Sequence, residues 1–198
     1  MQKSVVLAAL GLATSLAPAD VINASFEEPA VAPDGYTGDG VPGWSAVGSI
    51  GAWGAFYPTL GGWGYTASHG NQVLYINGGT VQQTTNTVLN VGATYTLMVD
   101  VVRRPPPYGT DTYTIRLLAG DTVIAEDVST LTPPHGQFAT SVLTYTVLEG
   151  DPLAGQALTI QLGGASQVNF DNVRLEVPGV GPLGVLALGG LLARRRSR

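Results

Sequence analysis

The segment Thr94-Tyr95-Thr96-Leu97-Met98-Val99-Asp100-Val101 decides the fold class. Tyr95, Leu97, Val99 and Val101 fall on one face, and Thr94, Thr96, Met98 and Asp100 on the other. A period of two, carried by aromatic and β-branched residues, is the mark of a half-buried strand. The alternation returns in Thr112-Tyr113-Thr114-Ile115-Arg116-Leu117, where Tyr113, Ile115 and Leu117 are expected inward. It recurs in Ser141-Val142-Leu143-Thr144-Tyr145-Thr146-Val147 and in Ala157-Leu158-Thr159-Ile160-Gln161-Leu162. Asn77-Gly78-Gly79, Asn90-Val91-Gly92, Glu149-Gly150-Asp151 and Gly163-Gly164 punctuate these runs as turn signals. Gly120-Asp121, between two strand patterns, predicts a tight hairpin. Strands are predicted over 20–26, 72–77, 80–88, 94–102, 111–118, 121–128, 137–147, 156–163 and 166–176. No core segment carries a 3.6-residue period. The expected fold is all-β, an antiparallel β-sandwich with a jelly roll as the best single topology.

The two ends read differently. Lys3, an apolar run from Val5 to Leu16, and Ala17-Pro18-Ala19 make a secretory signal peptide over residues 1–19. A second apolar segment runs from Val180 to Ala193 and closes on Arg194-Arg195-Arg196-Ser197-Arg198. As a helix it would cover roughly 21 Å, short of the ~30 Å hydrocarbon core, so it predicts a marginal or transient membrane anchor. Its arginines would stay on the cytoplasmic side. The expected organisation is a signal peptide over 1–19, a sandwich domain over 20–176 and a sorting or anchor segment over 177–198.

The whole chain has 9 basic and 14 acidic residues. Between residues 20 and 176 only Arg103, Arg104, Arg116 and Arg174 face all 14 carboxylates, a formal charge of −10 without a lysine. A nucleic-acid binder needs a basic footprint, so that class is excluded. An acidic exported protein meets divalent cations readily. There is no cysteine, so no disulfide supports the core.

Residues 29–71 hold many glycines, all three tryptophans and little alternation, which suits a binding element. Trp53, Tyr57, Trp63 and Tyr65 are the candidate carbohydrate-binding residues, because sugar rings stack on flat aromatic faces. The competing reading is that these rings close one end of the sandwich, and Trp44, after Pro42-Gly43, is expected in the core. Arg103-Arg104-Pro105-Pro106-Pro107-Tyr108 forms a second marked loop. Its arginines either receive a carboxylate or phosphate or solvate the loop and pair with local acids.

The case for catalysis is weak. His69 and His135 are the only histidines, which leaves no multi-histidine zinc site. There is no nucleophile elbow, P-loop or dinucleotide fingerprint. Glu126 and Asp127 are adjacent on a predicted strand and face opposite sides, so they make no acid–base pair.

With signal peptide, Val177-Pro178, apolar run and Arg194-Arg195-Arg196 in this order, the chain resembles a bacterial PEP-CTERM protein, although Gly179-Val180 stands where Glu-Pro is usual. That resemblance implies handling by an exosortase-type sorting protease, with Val177, Pro178 and Arg194, Arg195 and Arg196 as the sorting residues, and a location at the cell surface or in the extracellular matrix. The domain between resembles galactose-binding-like jelly rolls and carbohydrate-binding modules. The stretches that carry this are Val21-Ile22-Asn23-Ala24-Ser25-Phe26-Glu27, Pro42-Gly43-Trp44, Gly92-Ala93-Thr94-Tyr95-Thr96-Leu97 and Val168-Asn169-Phe170-Asp171-Asn172-Val173-Arg174-Leu175. By this resemblance Glu27 and Asp171 are the positions of a structural Ca²⁺. The expected function is a non-enzymatic exported protein that binds exopolysaccharide or another surface glycan. The alternatives are a structural matrix protein without a ligand and, less favoured, a glycan hydrolase.

Overall fold

The computed structural model describes residues 16–18, 21–38, 40–107 and 112–178. The remainder of the expected signal peptide, Asp39, Tyr108 and the tail beyond Pro178 lie outside the described residues, and with them Arg194, Arg195 and Arg196. Among the described residues no helix is long and apolar enough to cross a membrane. The chain divides into a unit of Pro18–Val177 and a second of Met1–Ala17 with Pro178–Arg198. Of the second only Leu16, Ala17 and Pro178 are described, all in strands.

The elements in chain order are β1 (Leu16–Pro18), β2 (Ser45–Val47), β3 (Trp53–Phe56), one helical turn α1 (Leu60–Trp63), β4 (Val73–Val88), β5 (Thr94–Val102), β6 (Thr114–Ala119), β7 (Thr122–Val128), β8 (Phe138–Thr146) and β9 (Ala157–Pro178). The pairings among β2 to β9 are antiparallel. The all-β antiparallel expectation is met.

Two strands organise everything. β4 and β9 pair from Leu74↔Phe170 to Val88↔Ala157. The Val73–Asn77 end of β4 and the far end of β9 are flanked by β3 on one side and by β5 and then β8 on the other. The later part of β4 and the first part of β9 are flanked by β2 and by β6 and then β7. The same two strands therefore run through two leaves, and the register shifts where they change leaf, between Asn77 and Gly79. A strand changes leaf through a bend or bulge, where glycine is needed. Gly79 has φ +109, and a Cβ on it would come within 2.7 Å of Ile50 Cγ1. A Cβ on Gly163 would come within 2.6 Å of Thr80 Oγ1 and 2.8 Å of Gly79 O. The sequence reading placed chain breaks at these glycines; they are corners within continuous strands.

The main core lies between the leaves. Leu74, Ile76, Val168 and Phe170 meet Val81, Ile115, Leu117, Ile160 and Leu162, all buried. Tyr95, Leu97, Val99, Val101 and Tyr113 point inward as their alternation required, and Trp44 packs on Phe26 with ring centroids 5.5 Å apart. Gly120-Asp121 forms the turn that closes the Ala119↔Thr122 pair of β6 and β7.

Over residues 21–26, the described part of the strand predicted for 20–26, the chain instead runs through turns, with Asn23 at φ 49 and Phe26 at φ 58. Its ladder partner is a side chain: Gln83 Nε2 donates to Ile22 O at 2.9 Å, and Ile22 N donates to Gln83 Oε1 at 2.7 Å. One amide supplies both hydrogen bonds that a neighbouring strand would give. The long segment 29–71 contains β2, β3 and α1, and runs 34–37 beside β3 through Thr37 N to Ala55 O (2.9 Å) and Tyr57 N to Gly35 O (3.0 Å).

Candidate active site

A strand buried on one face alternates; one covered on both faces does not. Val73-Leu74-Tyr75-Ile76 is buried at every position, as is Val99-Asp100-Val101-Val102. Leu74 and Ile76 face the main core. Val73, Tyr75 and Val102 face the other way, into a second apolar cluster with Phe56 and Tyr65, against which Trp63, Ala67 and Phe138 pack. The segment from Tyr57 to Gln72 thus helps to cover the outer face of this leaf.

At one end of the cover lies a pocket of about 270 Å³ lined by Tyr36, Ala52, Phe56, Trp63, Tyr75, Asn77, Arg104 and Gln167. Its floor comes from the strands: Asn77 on β4 is the register partner of Gln167 on β9. Its walls are aromatic. Tyr36 meets Tyr75 edge-on at 5.8 Å and 83°, and Phe56 meets Trp63 edge-on at 5.0 Å and 83°. The Arg104 guanidinium lies over the Trp63 ring at 5.0 Å and the Phe56 ring at 5.8 Å. Its Nη1 donates to Gln167 Oε1 at 2.9 Å. Such stacking suits a planar, weakly hydrated cation.

Two tethers set the walls. Tyr75 Oη donates to Thr37 O at 2.5 Å, one residue from Tyr36. Asp34 Oδ1 accepts from Thr59 N at 3.1 Å and Thr59 Oγ1 at 2.8 Å. Thr59 is in turn the N-cap of α1, accepting from Gly62 N at 3.1 Å. The helical turn that carries Trp63 is therefore pinned to the segment that carries Tyr36. In the pocket, Asn77 Oδ1 is buried and has no hydrogen-bond partner among the described residues.

Beyond the other end of the cover, carboxylates hold the chain. Glu27 Oε1 accepts from Asn71 N and Gln72 N, each at 2.8 Å. Asp171 Oδ2 accepts from Ser68 N and His69 N, each at 2.8 Å, and from Ser68 Oγ at 3.0 Å. Burial pushes the Asp171 carboxyl up to about 7, against the pull of these donors and of Asn172 N. Glu27 and Asp171 thus share one task, fastening segment 68–72. Among the described residues no group of three or more His, Cys, Asp or Glu is arranged to hold a metal ion.

Of the four rings singled out in the sequence, only Trp63 lines the pocket. Trp53 packs against the main core, Tyr65 is buried in the outer cluster, and Tyr57 donates to Asn71 Oδ1 at 3.3 Å. Trp53 and Trp63 do not form one stacking platform, because in β3 Trp53 and Phe56 point to opposite faces. Tyr36, Phe56, Tyr75, Asn77 and Gln167 were missed. The signal for Tyr75 was present: an apolar run without alternation on a strand means that both faces are covered.

The model of the HpiC1-like family, described as HpiC1 cyclase, matches residues 17–176. The chain belongs to the HpiC1-like family. The Stig cyclase Fisc from Fischerella sp. TAU, solved in complex with (3Z)-3-(1-methyl-2-pyrrolidinylidene)-3H-indole, is 30% identical, with a TM-score of 0.74 over 83% of this chain and 100% of that one. A cyclase from the same source, in complex with 4-(1H-indol-3-yl)butan-2-one, is 28% identical, with a TM-score of 0.72 over 83% of this chain and 100% of that one. An arabinose-bound α-L-arabinofuranosidase aligns at 15% identity and a TM-score of 0.52, over 82% of this chain and 26% of that one, a likeness of fold alone. Comparison with curated proteins gave no match.

Membership of the HpiC1-like family corrects several expectations. The PEP-CTERM reading, with its sorting protease, transmembrane anchor and matrix role, gives way to a cyclase family matched across the folded domain. Carbohydrate binding by Trp53, Tyr57, Trp63 and Tyr65, with exopolysaccharide as partner, gives way to relatives solved with small indole compounds. The non-enzymatic reading falls with it. Histidines, nucleophiles and carboxylate pairs are the marks of hydrolysis and transfer. None of them stands in this pocket lining, which is made of aromatic rings, the amides of Asn77 and Gln167, Ala52 and the Arg104 guanidinium.

Proposed function

We propose that this chain is a cyclase that holds an indole-bearing, largely apolar substrate in the pocket between Tyr36, Phe56, Trp63 and Tyr75 and closes a ring within it. The observation that carries the reading is the aromatic enclosure with one buried, unpartnered acceptor, Asn77 Oδ1, in its lining. Flat rings stack and meet edge-on against such walls. A ring N–H is the donor that Asn77 Oδ1 lacks, and leaving that acceptor dry is costly. Confining a flexible substrate to one folded conformer converts ring closure into a well-oriented intramolecular step. Aromatic faces also favour positive charge that develops on the way. The site needs no covalent nucleophile for this: the new σ bond forms between two parts of one bound molecule at the expense of a π bond in its side chain, so product and substrate are isomers.

The test is binding and turnover. Purified protein titrated calorimetrically with 4-(1H-indol-3-yl)butan-2-one should bind it, and incubation with indoles that carry an alkenyl side chain should give an isomeric product with one more ring and one fewer double bond. Absence of both binding and ring formation, with a well-folded sample, removes this reading.

The finer fold assignment, a galactose-binding-like jelly roll, belongs with this proposal and is supported by the two leaves sharing β4 and β9. Calcium at Glu27 and Asp171 is a separate proposal. It is motivated by two carboxylates, whose oxygens suit that hard cation, fastening the same segment through accepted hydrogen bonds; a chelator should lower the melting temperature and added Ca²⁺ restore it, and no change removes it. Export by residues 1–19 is likewise proposed, and N-terminal sequencing of the mature protein from its native host decides it.

A further inference from the structure

Asn169 has no role in the pocket as described, and its position is unusual. It is fully buried on β9, and neither Nδ2 nor Oδ1 has a hydrogen-bond partner among the described residues. Val168 and Phe170, its neighbours in sequence, face the main core, so the period of two turns Asn169 to the outer face. There its register partners are Tyr75 on β4 and Val102 on β5. Gln167, two residues along the same strand, shares that face. Directly paired residues on a sheet face lie in side-chain contact, and i and i+2 lie side by side. Two residues of the pocket lining, Tyr75 and Gln167, are therefore the immediate neighbours of Asn169. The remaining neighbour, Val102, belongs to the apolar cluster with Phe56, Tyr65, Val73 and Tyr75.

A buried amide with both ends dry destabilises the fold, and an apolar side chain of similar size would pack there at least as well. Nothing in the packing of this strand calls for asparagine. Asn77 repeats the pattern one pair along, with its own Oδ1 buried and unpartnered in the pocket lining.

We infer that Asn169 is a recognition residue at the inner end of the pocket: its amide, offering a donor and an acceptor side by side, takes a ligand that presents the complementary pair, an N–H and a carbonyl or imine nitrogen. The inference rests on the proposed aromatic-substrate reading of the same pocket and adds a polar anchor beneath the rings. Asn169 is closed off in the structure, so binding requires a ring of the outer cluster to shift and extend the cavity inward. Together Asn77 and Asn169 fix which edge of a flat ligand faces the sheet. A site that hydrogen-bonds a polar group rejects the analogue that lacks it more strongly than an apolar site can.

The experiment compares Asn169→Leu and Asn169→Val with wild type in the full chain. Melting temperature is read by circular dichroism, and binding of 4-(1H-indol-3-yl)butan-2-one and of its deoxygenated analogue 3-butylindole by calorimetry. A recognition residue predicts opposite movements: the melting temperature rises or holds, while affinity for the ketone falls at least tenfold and the preference for ketone over 3-butylindole collapses. A structural asparagine predicts the reverse, and a fall of several degrees in both variants overturns the inference, as does failure of both to fold. Wild-type binding that both variants retain, with the ketone preference intact, overturns it while leaving the pocket reading in place. No binding of either compound by wild type removes the pocket reading and this inference together.

Discussion

Asp100 and Asp171 meet at a single hydroxyl: Ser68 Oγ lies 2.9 Å from Asp100 Oδ2 and 3.0 Å from Asp171 Oδ2. The two aspartates are also register partners across β5 and β9. A serine hydroxyl has one proton and donates to one acceptor at a time. With both carboxylates ionised, one of them faces a lone pair on Ser68 Oγ. The other groups around the pair are Thr140 Oγ1, donating to Asp100 Oδ1 at 2.7 Å, Asn172 Nδ2, donating to Asp100 Oδ2 at 3.0 Å, and Arg174 Nη2, 3.5 Å from Asp100 Oδ1. The His69 ring is turned to Ser25 Oγ at 2.8 Å. A proton on Asp171 relieves the clash, in the same direction as the effect of burial on that carboxyl.

The pH dependence follows with a definite sign. Asp171 is raised to about 7 in the folded chain, against an ordinary aspartate near 3.9. Between those values the folded state holds a proton that the unfolded state has lost. The contribution is complete below about pH 4 and is lost as pH rises through about 7. In the metal-free chain, thermal melts should show stability falling between about pH 4 and pH 7, and Asp171→Asn should flatten that slope. A wild-type melting temperature that rises steadily across this window contradicts the assignment.

Gly70 tests how tightly segment 68–72 is held. It has φ +68, and a Cβ there would run into Glu27 Oε1, the oxygen that accepts from Asn71 and Gln72. Gly70→Ala should cost about 1–3 kcal/mol, from strain at positive φ and displacement of the carboxylate. Denaturant titration measures it, and protease cleavage within 57–72 should become faster. A change within about 0.5 kcal/mol would mean that this segment yields freely.

Trp53 and Trp63 should separate by readout. Trp63→Ala removes a pocket wall and the surface on which Arg104 stacks, so binding of an indole ligand should weaken about tenfold or more, about 1.4 kcal/mol. Trp53→Ala should instead lower stability by about 2–4 kcal/mol, because Trp53 is partly buried against the main core. Calorimetric titration beside denaturant unfolding distinguishes them, and equal effects of the two variants on binding would misplace the site.

Asp127 anchors a buried network on the other leaf. Its Oδ2 accepts from Ser141 Oγ at 2.6 Å and Tyr113 Oη at 2.9 Å, and its Oδ1 from Thr130 N at 3.0 Å. Burial alone would raise this carboxyl, but those donors outweigh it and hold the group below its ordinary value. Asp127→Ala strands three donors and should cost about 2–4 kcal/mol while leaving ligand affinity intact. Loss of affinity without loss of stability would assign Asp127 to the site instead.

What the sequence determined by itself was the class of the fold and the faces of its strands. Tyr95, Leu97, Val99 and Val101, and likewise Tyr113, Ile115 and Leu117, announce their inward face because alternation is a local property, set by the geometry of one extended chain. The hairpin at Gly120-Asp121 is legible for the same reason. The separation of Glu126 from Asp127 onto opposite faces also needs nothing beyond one strand.

What only the tertiary structure decided was the site. Its lining comes from segments as distant as Tyr36, Trp63, Tyr75, Arg104 and Gln167, brought together when β4 pairs with β9 and segment 57–72 folds over the outer face. Strand register across that distance depends on which residues pack together, and no local period records it. Asn169 is the sharpest case. In sequence it is a polar residue between Val168 and Phe170, the ordinary pattern of a strand with one wet face. The fold covers that face too, which turns an unremarked asparagine into a buried amide without partners.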